Sequence, residues 1–195
     1  MSTTLEFYFD FGSPTAYLAH CRLQQLAAQY DLTVEYRPML LGGVFKATDN
    51  MSPVAIPAKG KYMLEQDLPR FAKRYGAPLN FNPHFPINTL QAMRGAVAAR
   101  NAGVMPTYVD ALYTAMWVDQ KNLGDSDVLA AVLTEAGLDA EALLAATGDP
   151  DVKGELIRST EEAVARGAFG APTFYLGDDM YFGQDRLDFV EEALR

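Results

Sequence analysis

The sequence predicts an α/β fold in which a β-α-β segment and an α-β-β-α segment share one sheet and flank an all-helical insertion. Three observations predict it. Residues 5–9 form an aromatic, apolar run that stops at Asp10-Phe11-Gly12-Ser13-Pro14 and gives way to apolar residues at helical spacing. Residues 88–146 offer helical patterns throughout and no strand candidate. Near the end, residues 173–176 and 180–182 are β-rich and joined by Gly177-Asp178-Asp179, a hairpin pattern.

Each element has a local reason. The run at 5–9 is short and bounded by Gly and Pro, which favours a buried strand. Ser13 suits a helix N-cap, because its hydroxyl accepts from a free N–H of the first turn. Pro14 suits the first helical position, where no donor is needed. Ala16, Leu18, Ala19, Leu23, Leu26 and Ala27 carry that helix to Tyr30. Residues 32–36 alternate as a second strand, closed by Pro38, and strand-helix-strand implies a right-handed parallel unit. Residues 40–58 read as a loop from Gly42, Gly43, Asp49, Asn50, Ser52, Pro53 and Pro57; loops of that length are usually functional or mobile. Residues 59–75 read as a helix kinked or broken at Pro69, and residues 76–86 as irregular. Helices follow around Leu90 to Ala98, Tyr108 to Met116, Val128 to Leu133, and residues 140–146, with Gly103 and Gly137 as stops. A helix over 149–167 leads into the hairpin, and Asp185 is expected to cap a last amphipathic helix carrying Leu187, Phe189, Val190 and Leu194. This order is the thioredoxin-like arrangement, with residues 1–58 and 149–195 as the thioredoxin-like domain and 59–148 as the insertion.

Composition narrows the function. The 195 residues are ample for one core, and 49% hydrophobic with 21% charged is ordinary for a soluble domain. A net charge of −9 argues against general nucleic-acid binding and against docking on anionic membranes. There is no membrane span, and the first residues lack a secretory leader's basic start and apolar core, so the cytoplasm is the expected location. The single cysteine, Cys21, allows no internal disulfide and reads as a small buried core residue, too far along its helix to act at Ser13. His20 and His84 stand far apart, with no metal-ligand spacing around them.

In this arrangement the turn at Ser13 faces the turn Gly167-Ala168-Phe169-Gly170-Ala171-Pro172, where Pro172 starts a strand. The flanking glycines, the β-run and the fold order favour a cis Ala171–Pro172 bond. The Ala171 N–H and C=O are then expected to point outward and pair with a bound peptide as an added strand.

Phe9-Asp10-Phe11-Gly12-Ser13-Pro14-x-Ala16-Tyr17, Gly167-Ala168-Phe169-Gly170-Ala171-Pro172-Thr173-Phe174 and Phe182-Gly183-Gln184-Asp185-Arg186-Leu187 together resemble the 2-hydroxychromene-2-carboxylate isomerase family, related to kappa-class glutathione transferases and DsbA-like thiol oxidoreductases. The resemblance spans essentially the whole chain. It implies glutathione as cofactor, a homodimer, a small aromatic substrate and a part in aromatic degradation. Disulfide oxidoreductases of this fold carry C-x-x-C where this chain has Ser13-Pro14-Thr15-Ala16, so dithiol exchange is excluded and a soluble thiol must bring the sulfur. Ser13 is the expected catalytic residue, donating a hydrogen bond to that thiolate. The helix N-terminus adds about 0.3–2 kcal/mol, which helps ionise a thiol of ordinary pKa near 8.5. The resemblance further implies Asn50, Ala171, Pro172, Gly183, Gln184 and Asp185 on glutathione, and Phe45 and Lys46 on the substrate side. A lysine paired with a keto-acid carboxylate contributes about 1.5–3 kcal/mol. Lys59, Asp67 and Arg94 read as surface or ion-pair residues. The implied reaction interconverts 2-hydroxychromene-2-carboxylate and trans-o-hydroxybenzylidenepyruvate through a thiolate adduct. A kappa-like transferase or peroxidase, and a non-catalytic peptide-binding module, are the alternatives.

Overall fold

The structure is a computed structural model that describes residues 3–195, so Met1 and Ser2 of the N-terminal stretch lie outside the described residues. Strand β1 (Thr3–Phe9) lies at the centre of a four-stranded sheet of order β2-β1-β3-β4. It runs parallel to β2 (Leu32–Pro38) and antiparallel to β3 (Thr173–Leu176), which pairs with β4 (Asp179–Phe182). The run at β1 is mostly apolar because both faces of the sheet are covered; its one charged member, Glu6, is held by Arg37 and Arg166. Leu5, Phe7 and Phe9 enter one buried cluster and Tyr8 enters another, with Met39, Val44, Ala163, Ala168 and Tyr175. The Phe7 and Phe174 rings stack across the strands at 5.3 Å between centroids. The hairpin turns on Gly177, whose φ of 61° matches a turn with its positive φ at the first central position.

Helix α1 (Pro14–Gln29) follows β1, and the expected loop after β2 contains a second helix, α2 (Leu41–Thr48). This corrects the composition-based reading. The start of α2 is capped from elsewhere in the chain: the Leu41 N–H donates to Asp10 Oδ2 at 2.9 Å and the Leu40 N–H to Thr160 Oγ1 at 3.0 Å. Gly43 belongs there for closeness, since a Cβ would sit 3.1 Å from Thr160 Cγ2. After a short 3₁₀ turn (Pro53–Ala55) comes α3 (Pro57–Tyr62), then one wide π turn (Met63–Asp67), then α4 (Leu68–Tyr75). The expected disturbance at Pro69 is this π turn. The Leu68 N–H reaches back five residues to the Met63 carbonyl, and the helical path continues without a break.

Helices α5 (Leu90–Asn101), α6 (Met105–Trp117), α7 (Ser126–Glu135) and α8 (Ala140–Ala146) complete the helical stretch. The same buried cluster that receives Leu5, Phe7 and Phe9 runs on through Met93, Val97, Leu112, Trp117 and Leu133. Trp117 fastens this layer to the sheet: its indole N–H donates to the Phe11 carbonyl at 2.9 Å, two residues before Ser13. Helix α9 (Pro150–Ala165), entered through an Asp149 cap, covers the other face of the sheet together with α2.

The end of the chain departs from expectation. A 3₁₀ turn (Gln184–Arg186) precedes α10 (Leu187–Ala193), and Asp185 caps neither; its carboxylate pairs with the neighbouring Arg186. Cys21 is half-buried at the edge of the core, with its thiol pushed up by burial against a hydrogen bond from Tyr17. His20 is buried between the Tyr36 hydroxyl at 2.9 Å and Asp110 Oδ1 at 2.7 Å, so it ties α1 to β2 and α6.

Candidate active site

The site begins at the turn that ends β1. Asp10 is 1% exposed and pairs with no cation among the described residues; its carboxylate accepts from the Gly12 N–H at 2.9 Å, the Thr89 hydroxyl at 2.7 Å and the Leu41 N–H at 2.9 Å. Burial pushes its pKa up, and these three hydrogen bonds pull it back. One side chain thereby joins the β1 turn, the start of α2 and the start of α5.

Ser13 follows, with extended backbone angles, and its Oγ accepts from the Ala16 N–H at 3.1 Å. The same oxygen lies 2.9 Å from Thr15 Oγ1, and both hydroxyls lie 3.2 Å from the Ala171 carbonyl oxygen. Two hydroxyl protons cannot make all three of these bonds at once. When Thr15 holds Ala171, the Ser13 proton is free to turn elsewhere. Ser13 is 5% exposed, and that remnant opens into a cavity of about 350 Å³ that Gly12, Pro14 and Thr15 also line.

The facing turn carries the cis Ala171–Pro172 bond. The Ala171 carbonyl lies beside Ser13, as expected, and is already bonded to the two hydroxyls; its N–H has no hydrogen-bond partner among the described residues. Pro172 is buried behind the cavity wall, and its carbonyl accepts from the Gly183 N–H at 3.0 Å. Gly183 has φ 95°, and a Cβ there would fall 2.5 Å from Asp185 Oδ1, so only glycine lets Asp185 reach the wall. Gln184 is buried, with its carbonyl held by the Tyr75 hydroxyl at 2.8 Å.

Asn50 joins the two sides of the cleft. Its amide donates to the Phe169 carbonyl at 2.9 Å, and its Oδ1 accepts from the Met51 N–H at 2.9 Å. It lines the cavity while bracing the proline turn, with one amide hydrogen left over. The opposite wall is apolar: Phe45 from α2, Met51, Val54 and Ile56 around the 3₁₀ turn, Met63 and Phe85.

The structure thus brings together Ser13, Phe45, Asn50, Ala171, Gly183, Gln184 and Asp185. Lys46 is not brought in. In a helix one residue is a rotation of about 100°, so with Phe45 facing the cavity Lys46 turns to solvent. Thr15, Lys59 and Asp67 are among the lining residues that sequence reasoning missed or set aside, as are the apolar Met51, Val54, Ile56 and Phe85. Lys59 and Asp67 make no ion pair among the described residues, and the π turn aims both Met63 and Asp67 inward. Only Thr15 had a visible hint, its place within the tetrad that replaces C-x-x-C. Cys21 does not line the cavity, so the chain contributes no thiol there.

Comparison with known proteins agrees with this fold. A family model described as a DSBA-like thioredoxin domain matches residues 4–195. A 2-hydroxychromene-2-carboxylate isomerase of Sphingobium xenophagum is 35% identical over 196 residues, covering 100% of this chain and 99% of the relative. Human glutathione S-transferase kappa 1 is 29% identical over 208 residues, covering 98% and 90%. A solved structure of 2-hydroxychromene-2-carboxylate isomerase superposes with a TM-score of 0.88 at 33% identity, covering 97% of this chain and 93% of that one. With a family model spanning nearly the whole chain and isomerase relatives matching it end to end, the chain belongs to the DSBA-like thioredoxin family and, within it, to the 2-hydroxychromene-2-carboxylate isomerase family.

Proposed function

We propose that the protein is a glutathione-dependent isomerase of 2-hydroxychromene-2-carboxylate or a closely related aromatic keto acid. The observation that carries the reading is a cleft with a reorientable hydroxyl at a helix N-terminus and no thiol of its own. The donor set fits a tripeptide bearing two carboxylates, an amine and a thiol. The Ala171 N–H and the Lys59 ammonium, both without partners among the described residues, offer one strand-like bond and a partner for a carboxylate, and Asp185 suits an ammonium group. When bound, glutathione supplies a thiolate, a nucleophile able to add reversibly to a conjugated keto acid.

The chain's own residues divide the remaining work. The Ser13 hydroxyl and the first turn of α1 favour negative charge at the sulfur position. Thr15 takes over the Ala171 carbonyl and so releases the Ser13 proton for that task. The apolar wall of Phe45, Val54, Ile56 and Phe85 receives an aromatic ring and keeps water from it.

Two outcomes follow. Glutathione at about 100 times its Kd stabilises the folded chain by about 2.7 kcal/mol, a rise of about 5–10 °C in Tm for a chain of this size. No shift at a glutathione concentration far above any plausible dissociation constant contradicts the cofactor assignment. Thr15→Val obliges the Ser13 proton to stay on the Ala171 carbonyl. It is expected to lower kcat about tenfold, one neutral hydrogen bond's worth, with the KM for glutathione unchanged and Thr15→Ser restoring the rate. A second reading, a kappa-like transferase, draws on the full-length likeness to human glutathione S-transferase kappa 1. Conjugation of chlorodinitrobenzene without chromene isomerisation selects it.

A further inference from the structure

We propose that the apolar cleft between α2, α5 and α9 is a second ligand site, one that takes a small ring-bearing monocarboxylate. The cleft encloses about 430 Å³, within the range of small-molecule sites. Its walls are Leu40 and Ala47 on the α2 side, Leu90 on α5, and Leu156, Ile157 and Val164 on α9. Ile157 leaves 58% of its surface exposed there, so the apolar lining is not closed over by the chain itself.

Two cations stand over this lining. Arg94 on α5 and Lys153 on α9 face the cleft, both half-buried. Neither side chain has an ion pair or a hydrogen bond within the described residues. The contrast with the other half-buried arginines is complete: Arg22, Arg37, Arg100 and Arg166 each hold a carboxylate. A guanidinium that has lost part of its water and gained no acceptor is left under-solvated, and in a chain of net charge −9 there is no shortage of acids that could have answered it. The same two cations continue into an adjoining polar cleft with Asn88, Gln91 and Thr147. An occupant with its ring against Leu156 and Val164 and its anionic end toward Arg94 and Lys153 satisfies both halves. Glu161, the acid in the same lining, disfavours a second negative charge. The predominantly apolar wall disfavours a bare inorganic anion.

The cleft is distinct from the first cavity. Helix α2 separates them, presenting Leu41 and Phe45 to the first and Gly43 and Ala47 to the second. The assignment therefore stands or falls independently of the chemistry at Ser13.

The test is an NMR titration of the full chain with 4-biphenylcarboxylate and, in parallel, 4-biphenylmethanol. The expected result is saturable movement of the Ala47, Leu156 and Thr160 methyl signals, with the acid bound about tenfold more tightly than the alcohol. Arg94→Gln and Lys153→Gln should each remove most of that preference and leave the alcohol's affinity unchanged, while Arg94→Lys keeps a good part of it. Absence of saturation, equal affinity for acid and alcohol, or movement confined to Thr15 and Ile56 in the first cavity overturns the proposal. So does a dimer, seen by sedimentation, that Ile157→Asp abolishes, because the cleft is then covered by a second copy.

Discussion

Ser13→Ala is expected to lower glutathione-dependent turnover on the order of 10- to 100-fold, the value of one hydrogen bond to a charged acceptor. The substitution removes the hydroxyl proton that Thr15 leaves free and keeps the backbone of the helix start in place. Stability should fall by only about 1 kcal/mol, because the lost group is also the N-cap acceptor for the Ala16 N–H. The two readouts separate the roles. A cap alone would cost stability and spare the rate, whereas a thiolate donor costs rate well beyond what a small loss of folded protein explains. The pH profile adds a third readout: without the hydroxyl, the limb assigned to thiolate formation should move to higher pH. Unchanged turnover in the folded variant contradicts the role given to Ser13.

Gly95→Ala is expected to destabilise the fold by about 2–4 kcal/mol, although alanine is intrinsically the better helix former by about 1 kcal/mol. Gly95 sits on α5 against the fully buried Tyr108 of α6, and a Cβ there would fall 2.1 Å from the Tyr108 hydroxyl oxygen. That hydroxyl donates to the Ala92 carbonyl at 2.8 Å, so the ring cannot withdraw without orphaning a buried polar group, at a cost of about 1–3 kcal/mol. The Tyr108 ring also packs 6.0 Å from Phe11, whose carbonyl holds Trp117. Strain at Gly95 is therefore passed toward the turn that carries Ser13. For a chain of this length the Tm should drop by about 5–15 °C. Adding Tyr108→Phe, which removes the colliding oxygen, should recover part of the loss. An unchanged Tm in Gly95→Ala contradicts the close α5–α6 contact.

What the sequence made legible was what local chemistry decides. The Ser13-Pro14 cap, the Gly177 hairpin and the aromatic β1 run each depend on neighbours a few residues away. The α2 helix was hidden because its supports are tertiary. Glycine reads as a loop former, yet Gly43 serves close approach to Thr160, and the helix start is capped by Asp10 from β1 rather than by a residue beside it. That omission carried into the site: as a loop residue Lys46 could point anywhere, but on α2 it cannot face the cavity beside Phe45. Lys59 and Asp67 were unremarkable as sequence and became lining residues through the path of α3 and its π turn. The Phe85–Pro86 bond is also cis, and nothing in the sequence marks it out. Thr15 was passed over because its importance lies in sharing the Ala171 carbonyl, a contact 156 residues distant in the chain.

The most direct test is to follow 2-hydroxychromene-2-carboxylate with the purified protein, freed of small thiols, before and after glutathione is added. The predicted result is a rate indistinguishable from the uncatalysed one without glutathione, and saturable formation of trans-o-hydroxybenzylidenepyruvate with it, with glutathione recovered unchanged. Equal rates in the two conditions would contradict the claim that the reactive sulfur is brought to Ser13 from outside the chain.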